Sequence, residues 1–453
     1  MIGLPEGYMI IKTADYERLL DRLAVLESQS NKNSGNSHKP PSSDNYKKKV
    51  KNNREASTKK PGAQSGHKGT TLKMVDSADR IIEHKVQGHC DCGVNLESLE
   101  TVGIQRRQEI ELPVKLIEVI EHRIEIKQCR CGKVHQGTCE LKGSVQYGSK
   151  FKALMVYLNQ YQFIPFERLQ ELSEAIFGVS VSDGLLASSN QKCYEQLEQT
   201  ESAIKKALLQ NAVIHNDETG LRCNDNTQWI HSTSTHRLTH YSLQSKRGNE
   251  GINAIGIMPD YKGISVHDRW ASYDGYDCTH ALCNAHLMRD LKFLHEEMGC
   301  GWALKMKKLL IQANNCKNKD LLDPMTIEQI ELQYCQIIRQ GFEEEPKQKV
   351  RTKPRRGRVG KSKSLRLLEV FKFRNHQVLL FMYHPQVPFD NNLAERDLRM
   401  IKLKQKISGC FRTKDGANVF CRIRSYISSA RKQGYRILDA IECALLSKPV
   451  SLA

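Results

Sequence analysis

Apolar residues recur at helical spacing in "YERLLDRLAVLE", where Leu19, Leu20, Leu23 and Leu26 fall on one stripe. The pattern predicts a short zipper-like helix within residues 1–27, too short to be stable alone and open to either a partner helix or fraying. Residues 28–73 carry few apolar positions and many Pro, Gly, Ser and Lys. Such a segment cannot bury enough surface to offset its ordering entropy, so a basic disordered linker is expected, with lysines able to reach phosphates. Alternation of apolar and polar residues in strand fashion follows in "RIIEHKV", "RQEIELP" and "KLIEVIEHRIEIKQC", which predicts a small β domain over 74–144. The period then changes to helical over 145–209, with a break at Gly178 and a new start at Ser180 or Ser182, the outline of a helix-turn-helix (HTH)-like DNA-binding region.

From Asn211 the pattern returns to strands. "NAVIHND", "TQWIHSTS" and "RLTHYSLQ" read as a meander, "GNEGINAIGIMPD" as a short helix, "YKGISVHD" as a fourth strand and "THALCNAH" as a fifth. That order is the order of a ribonuclease-H-like core, its first part at 210–286. Residues 287–385 read as a helical insertion with a basic loop, and 386–453 as the closing helices of the core. The expected fold is thus multi-domain α/β.

Composition sharpens the partner. A chain of 453 residues with formal net charge +18 suits a polyanion, because Lys and Arg neutralise phosphates and release counterions. No apolar run approaches the roughly 20 residues that span a bilayer, and the opening stretch has no basic region followed by an apolar one, so neither membrane nor secretion is expected. The odd count of 15 cysteines suits a reducing cytoplasm with a few metal ligands, and a polyanionic partner makes a nucleoid-associated location the expectation.

The chemistry gathers in three carboxylates. Asp217 is expected to end the first strand and Asp268 the fourth, side by side at one sheet edge. Glu395 lies in "VPFDNNLAERDLRMIKLK", a basic helix with Asp390 as its expected cap. Three such carboxylates suit Mg²⁺ or Mn²⁺, which take oxygen ligands, in a two-metal site for in-line phosphoryl transfer. Their neighbours Glu218, Asp274 and Asp397 compete for the assignment. Glu218 should face away from Asp217 because strand side chains alternate. Arg396, Arg399 and Lys402 are expected to grip phosphates, as are Arg355, Arg356 and Arg358 in "KQKVRTKPRRGRVGKSK", a loop with Lys or Arg at nine positions and no acidic residue. Lys404, Lys406, Arg412 and Lys414 extend the basic tract, and Trp229 and Trp270 are candidates for stacking on a base or for core packing.

Two cysteine pairs, Cys90–Cys92 and Cys129–Cys131, bracket the β segments and can supply four thiolates to a structural Zn²⁺, with His89 or His135 as substitutes. Cys283, His286 and Arg289 in "CNAHLMRDL" offer a Cys-x-x-His half-site with no second half, so packing or positioning of DNA is the expected role.

"HNDETG", "VHDRWASYDGY", "HALCNAHLMRDL" and "VPFDNNLAERDLRMIKLKQKISGCFRT", with "NSGNSHKPPSSD" and "QSGHKG" upstream, resemble the transposases of the insertion sequence 66 family. The resemblance runs from about Asp15 to near the C-terminus. It implies a DDE transposase with Asp217, Asp268 and Glu395 as its triad, a helical insertion before the last acidic residue, an N-terminal zipper-like helix and a zinc-binding domain. The family's zinc knuckle is generally C-x-x-C, and both pairs here are C-x-C. The expected activity is Mg-dependent cleavage at the 3′ ends of an element and strand transfer to target DNA. The expected partners are element ends and target DNA, a second copy of the chain in a homo-oligomer, and accessory proteins of the same element. The alternatives are a catalytically inactive DNA-binding protein derived from a mobile element and a structure-specific nuclease on the same core.

Overall fold

The structure, a computed structural model, describes residues 11–30, 32, 74–113, 115–141, 143–224, 226–345 and 361–452. Nearly all of the expected linker and the loop bearing Arg355, Arg356 and Arg358 lie outside the described residues. The described residues divide into two compact units, one made of those within 54–140 with Ala175–Gly178, the other of the rest.

In the smaller unit the expected strands are mostly not formed. Among its described residues only β1 (Ile126–Gln128) and β2 (Val134–Gln136) are strands, paired antiparallel. "RIIEHKV" and "RQEIELP" form no strand, and Ile81, Val86, Ile110 and Leu112 are exposed. Alternation marks a strand only where a neighbouring strand takes its hydrogen bonds and a second layer covers its apolar face. Neither is supplied here.

The larger unit opens with α1 (Thr13–Ser30), which outruns the expected zipper by three residues and leaves Leu19, Leu20, Leu23 and Leu26 exposed. Four helices follow: α2 (Ser149–Val156), continued by a π-helical turn to Tyr161, α3 (Phe166–Phe177), α4 (Asp183–Gln196) and α5 (Glu198–Leu209). Gly178 is left-handed (φ 64°) just past α3, where a side chain would be strained. Ser182 starts α4 by accepting the Leu185 N–H. Leu186, Ser189, Asn190 and Cys193 turn the inner face of α4 into the core.

A five-stranded sheet is the centre of this unit: β3 (Val213–Cys223), β4 (Asn226–Ser234), β5 (Thr239–Gln244), β6 (Ile264–His267) and β7 (Thr279–Leu282), in the order β5-β4-β3-β6-β7. β3, β4 and β5 form an antiparallel meander, whereas β6 and β7 run parallel to β3. The crossover from β5 to β6 carries the short helix α6 (Asn249–Ile255).

Among the described residues, five helices follow β7 before the helix that carries Glu395: α7 (Asn284–Met298), α8 (Gly301–Asn318), α9 (Pro324–Glu344), α10 (Lys363–Phe373) and α11 (Asn375–Tyr383). They share one apolar core with Val266, Ala281 and Leu282 of the sheet, so the insertion is docked on the strands and not suspended from them. Trp302 is fully buried there, its indole N–H donating to Ser364 Oγ at 3.1 Å. Gly341 lets α9 close on this ring, since a Cβ would collide with Leu368. The chain ends with α12 (Asn392–Ser408), α13 (Lys414–Lys432) and α14 (Ile437–Leu445). α12 covers β3 and β4 through Leu398 and Ile401 against Leu221 and Ile230. α13 packs on β5, where Ser425 and Ser429 accept the backbone N–H groups of Tyr241 and Thr239.

Candidate active site

Register fixes the first two carboxylates. His215 on β3 pairs with Val266 on β6 in the parallel ladder. Asp217 and Asp268 each lie two residues beyond that pair in sequence, Asp217 still within β3 and Asp268 just past the end of β6. Asp217 does not end its strand, as expected, but sits within it. β6 stops at His267 while β3 runs on to Cys223 against β4, and the site opens where β3 loses its parallel neighbour. Alternation puts Asp217 on the face of β3 that carries His215 and Leu221, the face covered by α12.

α12 brings the third. Asn391 precedes its first turn, but the side chain is not a helix cap. Its Oδ1 lies 2.9 Å from His215 Nδ1, its Nδ2 donates to the Asn216 carbonyl at 2.8 Å, and its backbone N–H donates to Cys283 Sγ at 3.1 Å. Asp390 instead accepts the N–H of Asn392 at 3.0 Å. Glu395 follows in the first turn, half-buried, with Oε1 3.7 Å from His286 Nδ1 and Oε2 3.8 Å from Arg289 Nη2. Asp397 is engaged elsewhere: its Oδ2 accepts from Ser234 Oγ (2.7 Å), Thr239 Oγ1 (3.0 Å) and Lys432 Nζ (2.8 Å).

The electrostatics join the three. The Asp217 carboxyl is raised well above the usual range, first by burial and then by the negative charges of Glu218, Asp268 and Glu395. A buried carboxyl raised by neighbouring negative charges is short of positive charge. A divalent cation with oxygen preference fits such a donor set.

Glu218 lies on the opposite sheet face, where Arg247 (2.7 Å) and Tyr273 Oη (2.7 Å) hold it. Burial raises its carboxyl, as does Asp268, and these two partners oppose the shift. The Arg247 guanidinium lies over both Trp229 and Trp270, 5.0 and 4.3 Å from the ring centroids. Asp274 pairs with Arg374 at 2.6 Å. The Arg247 and Asn391 contacts were not legible in the sequence, because each joins elements far apart in the chain.

The expected basic residues divide. Arg396, Arg399 and Lys402 are exposed along α12, with Lys402 Nζ donating to the Gly220 carbonyl at 2.6 Å. Lys404 is drawn inward over Phe411, and burial lowers its ammonium to about 8.

Cys90, Cys92, Cys129 and Cys131 are exposed thiols on two turns of the same build. In each, a left-handed glycine (Gly93, φ 87°; Gly132, φ 85°) donates its N–H to the carbonyl of the first cysteine. The four thiols do not form a group with ligand atoms within 4.8 Å. Among the described residues, Cys283, His286 and Glu395 do.

Comparison with known families places the chain among the transposases. The family whose model matches is the Transposase IS66 family, over residues 144–419, and the chain belongs to it. That span contains Asp217, Asp268 and Glu395. A second family model, of a family of unknown function (DUF6444), matches residues 8–73. No curated protein matches the chain.

Proposed function

We propose that the protein is a DDE-type transposase, a polynucleotidyl transferase on DNA, with Asp217, Asp268 and Glu395 as its metal-binding triad. The observation that supports this reading is electrostatic: the negative charges of Asp268 and Glu395 both raise the Asp217 carboxyl, although the ligand atoms of the three do not form a group within 4.8 Å among the described residues. The strand order and the helical insertion before Glu395 support a ribonuclease-H-like core. Mg²⁺, or Mn²⁺, bound by these oxygens supplies Lewis-acid activation of the attacking oxygen and neutralises charge on the leaving one.

The chain's own residues then have separable tasks. Asp217 stands on a sheet strand, and Asp268 directly follows another, in a sheet where a one-residue slip of register would reverse every buried side chain. Glu395 is carried by a helix fastened to β3 through Asn391, and His286 and Arg289 flank its oxygens. Arg396 and Arg399 present cations along the same helix for the DNA backbone. In the reaction, water attacks a phosphodiester at the element's end and releases a 3′-hydroxyl. That hydroxyl attacks a target phosphodiester, one P–O bond forming as another breaks, so no covalent protein–DNA intermediate is required. Two ends must be held together for this, which calls for an oligomer.

The paired cysteine turns belong to this reading as the two halves of a structural zinc site, each presenting two thiols from one glycine turn; because the four thiols do not group within 4.8 Å in this structure, zinc would have to draw the two turns together. The decisive experiment is strand transfer with end-bearing DNA and Mg²⁺. The intact chain should join ends to target while Asp268→Asn binds DNA without joining. Joining retained by Asp268→Asn would reject the triad.

A further inference from the structure

The Cys-x-x-His half-site lacks a second half in the sequence, but the fold supplies one. Cys283 precedes the first turn of α7, His286 lies within that turn, and Glu395 comes from α12. Their ligand atoms all lie within 4.8 Å of one another, and the His286–Glu395 pair is 3.7 Å apart. Tetrahedral Zn²⁺, with bonds of about 2.0–2.3 Å, spaces its ligand atoms roughly 3.3–3.8 Å apart. The Cys283 sulfur already accepts the Asn391 N–H at 3.1 Å, a bond that favours a thiolate. Cys283 is 1 % exposed, whereas the side chains of His286 and Glu395 are 17 and 19 % exposed, so an ion enters past those two.

A thiol–imidazole–carboxylate set discriminates against Mg²⁺, which wants oxygen throughout, and favours a thiophilic ion. Glu395 is therefore shared between two donor sets of different hardness: Cys283 and His286, whose ligand atoms group with it, and, on the catalytic reading above, Asp217 and Asp268. We propose that Cys283, His286 and Glu395 form a second metal site, selective for Zn²⁺, whose occupancy withdraws Glu395 from the other carboxylates and arrests the Mg²⁺-dependent reaction. The arrest rests on the catalytic reading above, whereas the binding rests on the ligand geometry alone.

The test uses the full chain and Cys283→Ser, which keeps an acceptor for the Asn391 N–H and removes the sulfur. Equilibrium dialysis against Zn²⁺ should find one fewer ion per chain in the variant. Co²⁺ substitution should lose the part of its thiolate charge-transfer band that belongs to Cys283. In Mg²⁺ the variant should join DNA like the parent, while the zinc concentration for half-inhibition rises at least about tenfold, the minimum expected when a ligand and not an outer partner is removed. Equal zinc content and equal cobalt spectra in the two proteins would overturn the site. Lower zinc content with unchanged zinc inhibition would overturn the arrest. A parent inactive in Mg²⁺ would count against the catalytic reading, and the dialysis would still decide the site. His286→Asn, which also loses a ligand, should repeat the zinc deficit in a correctly folded chain, as checked by circular dichroism.

Discussion

Asn391 at the head of α12 is bonded to His215 on β3, Oδ1 to Nδ1, at 2.9 Å. Its other amide atom donates to the Asn216 carbonyl, which accepts only, so the orientation of the amide follows and His215 carries its proton on Nδ1. This one side chain ties the helix of Glu395 to the strand of Asp217. Asn391→Ala should cost about 1–3 kcal/mol for each buried group left unsatisfied and should lower the rate of joining more than DNA affinity. Urea denaturation beside single-turnover kinetics checks both. Unchanged stability would mean that the helix is held by its apolar face alone.

The neutral histidines predict a pH dependence. Burial, foremost, lowers His215 and His231 to about 4 from an ordinary 6.5. Between those values the unfolded chain binds protons that the folded chain refuses. The stability they contribute is therefore complete above about pH 6.5 and is lost as pH falls toward 4, by roughly 3 kcal/mol per residue. Urea midpoints measured from pH 7 to 4.5 should fall, and His215→Gln should flatten the slope. A flat profile in the parent would contradict this account.

Glu218 and Asp217 are adjacent in sequence and predicted to differ in consequence. Glu218 is held by Arg247 and Tyr273 on the far face, so Glu218→Gln should weaken folding and leave most joining activity. Asp217→Asn, or Glu395→Gln, should reduce joining by at least about 10²–10³-fold, the usual cost of losing a preorganised electrostatic group. Comparable losses in Glu218→Gln and Asp217→Asn would put the wrong carboxylate in the triad.

Asp397 forms a partly buried pair with Lys432 and accepts two hydroxyls besides. Removing one partner of such a pair strands the other, at about 3 kcal/mol. Asp397→Asn should therefore lower the denaturation midpoint, and Asp397→Asn with Lys432→Met should recover part of the loss in a double-mutant cycle. Additive effects would show that the two groups do not interact.

The local patterns determined a good deal. Period-2 runs gave the strands of the sheet, helical stripes gave the insertion, and "HNDETG", "VHDRW" and "NNLAER" singled out the carboxylates before any strand was paired. Alternation alone placed Glu218 opposite Asp217, because side-chain direction along a strand is a local property. Pairing was a different matter. Alternation in "RIIEHKV" and "RQEIELP" matched that of the sheet strands, yet no ladder formed, since a strand depends on a neighbour that its own residues do not specify. Likewise Asp217 and Asp268 were legible singly, but the pairing of β3 with β6, the Asn391 tie to β3 and the meeting of Cys283 and His286 with Glu395 join segments about fifty or more residues apart in the sequence. Only packing brings such segments together, so only the tertiary structure decided which donors share a site.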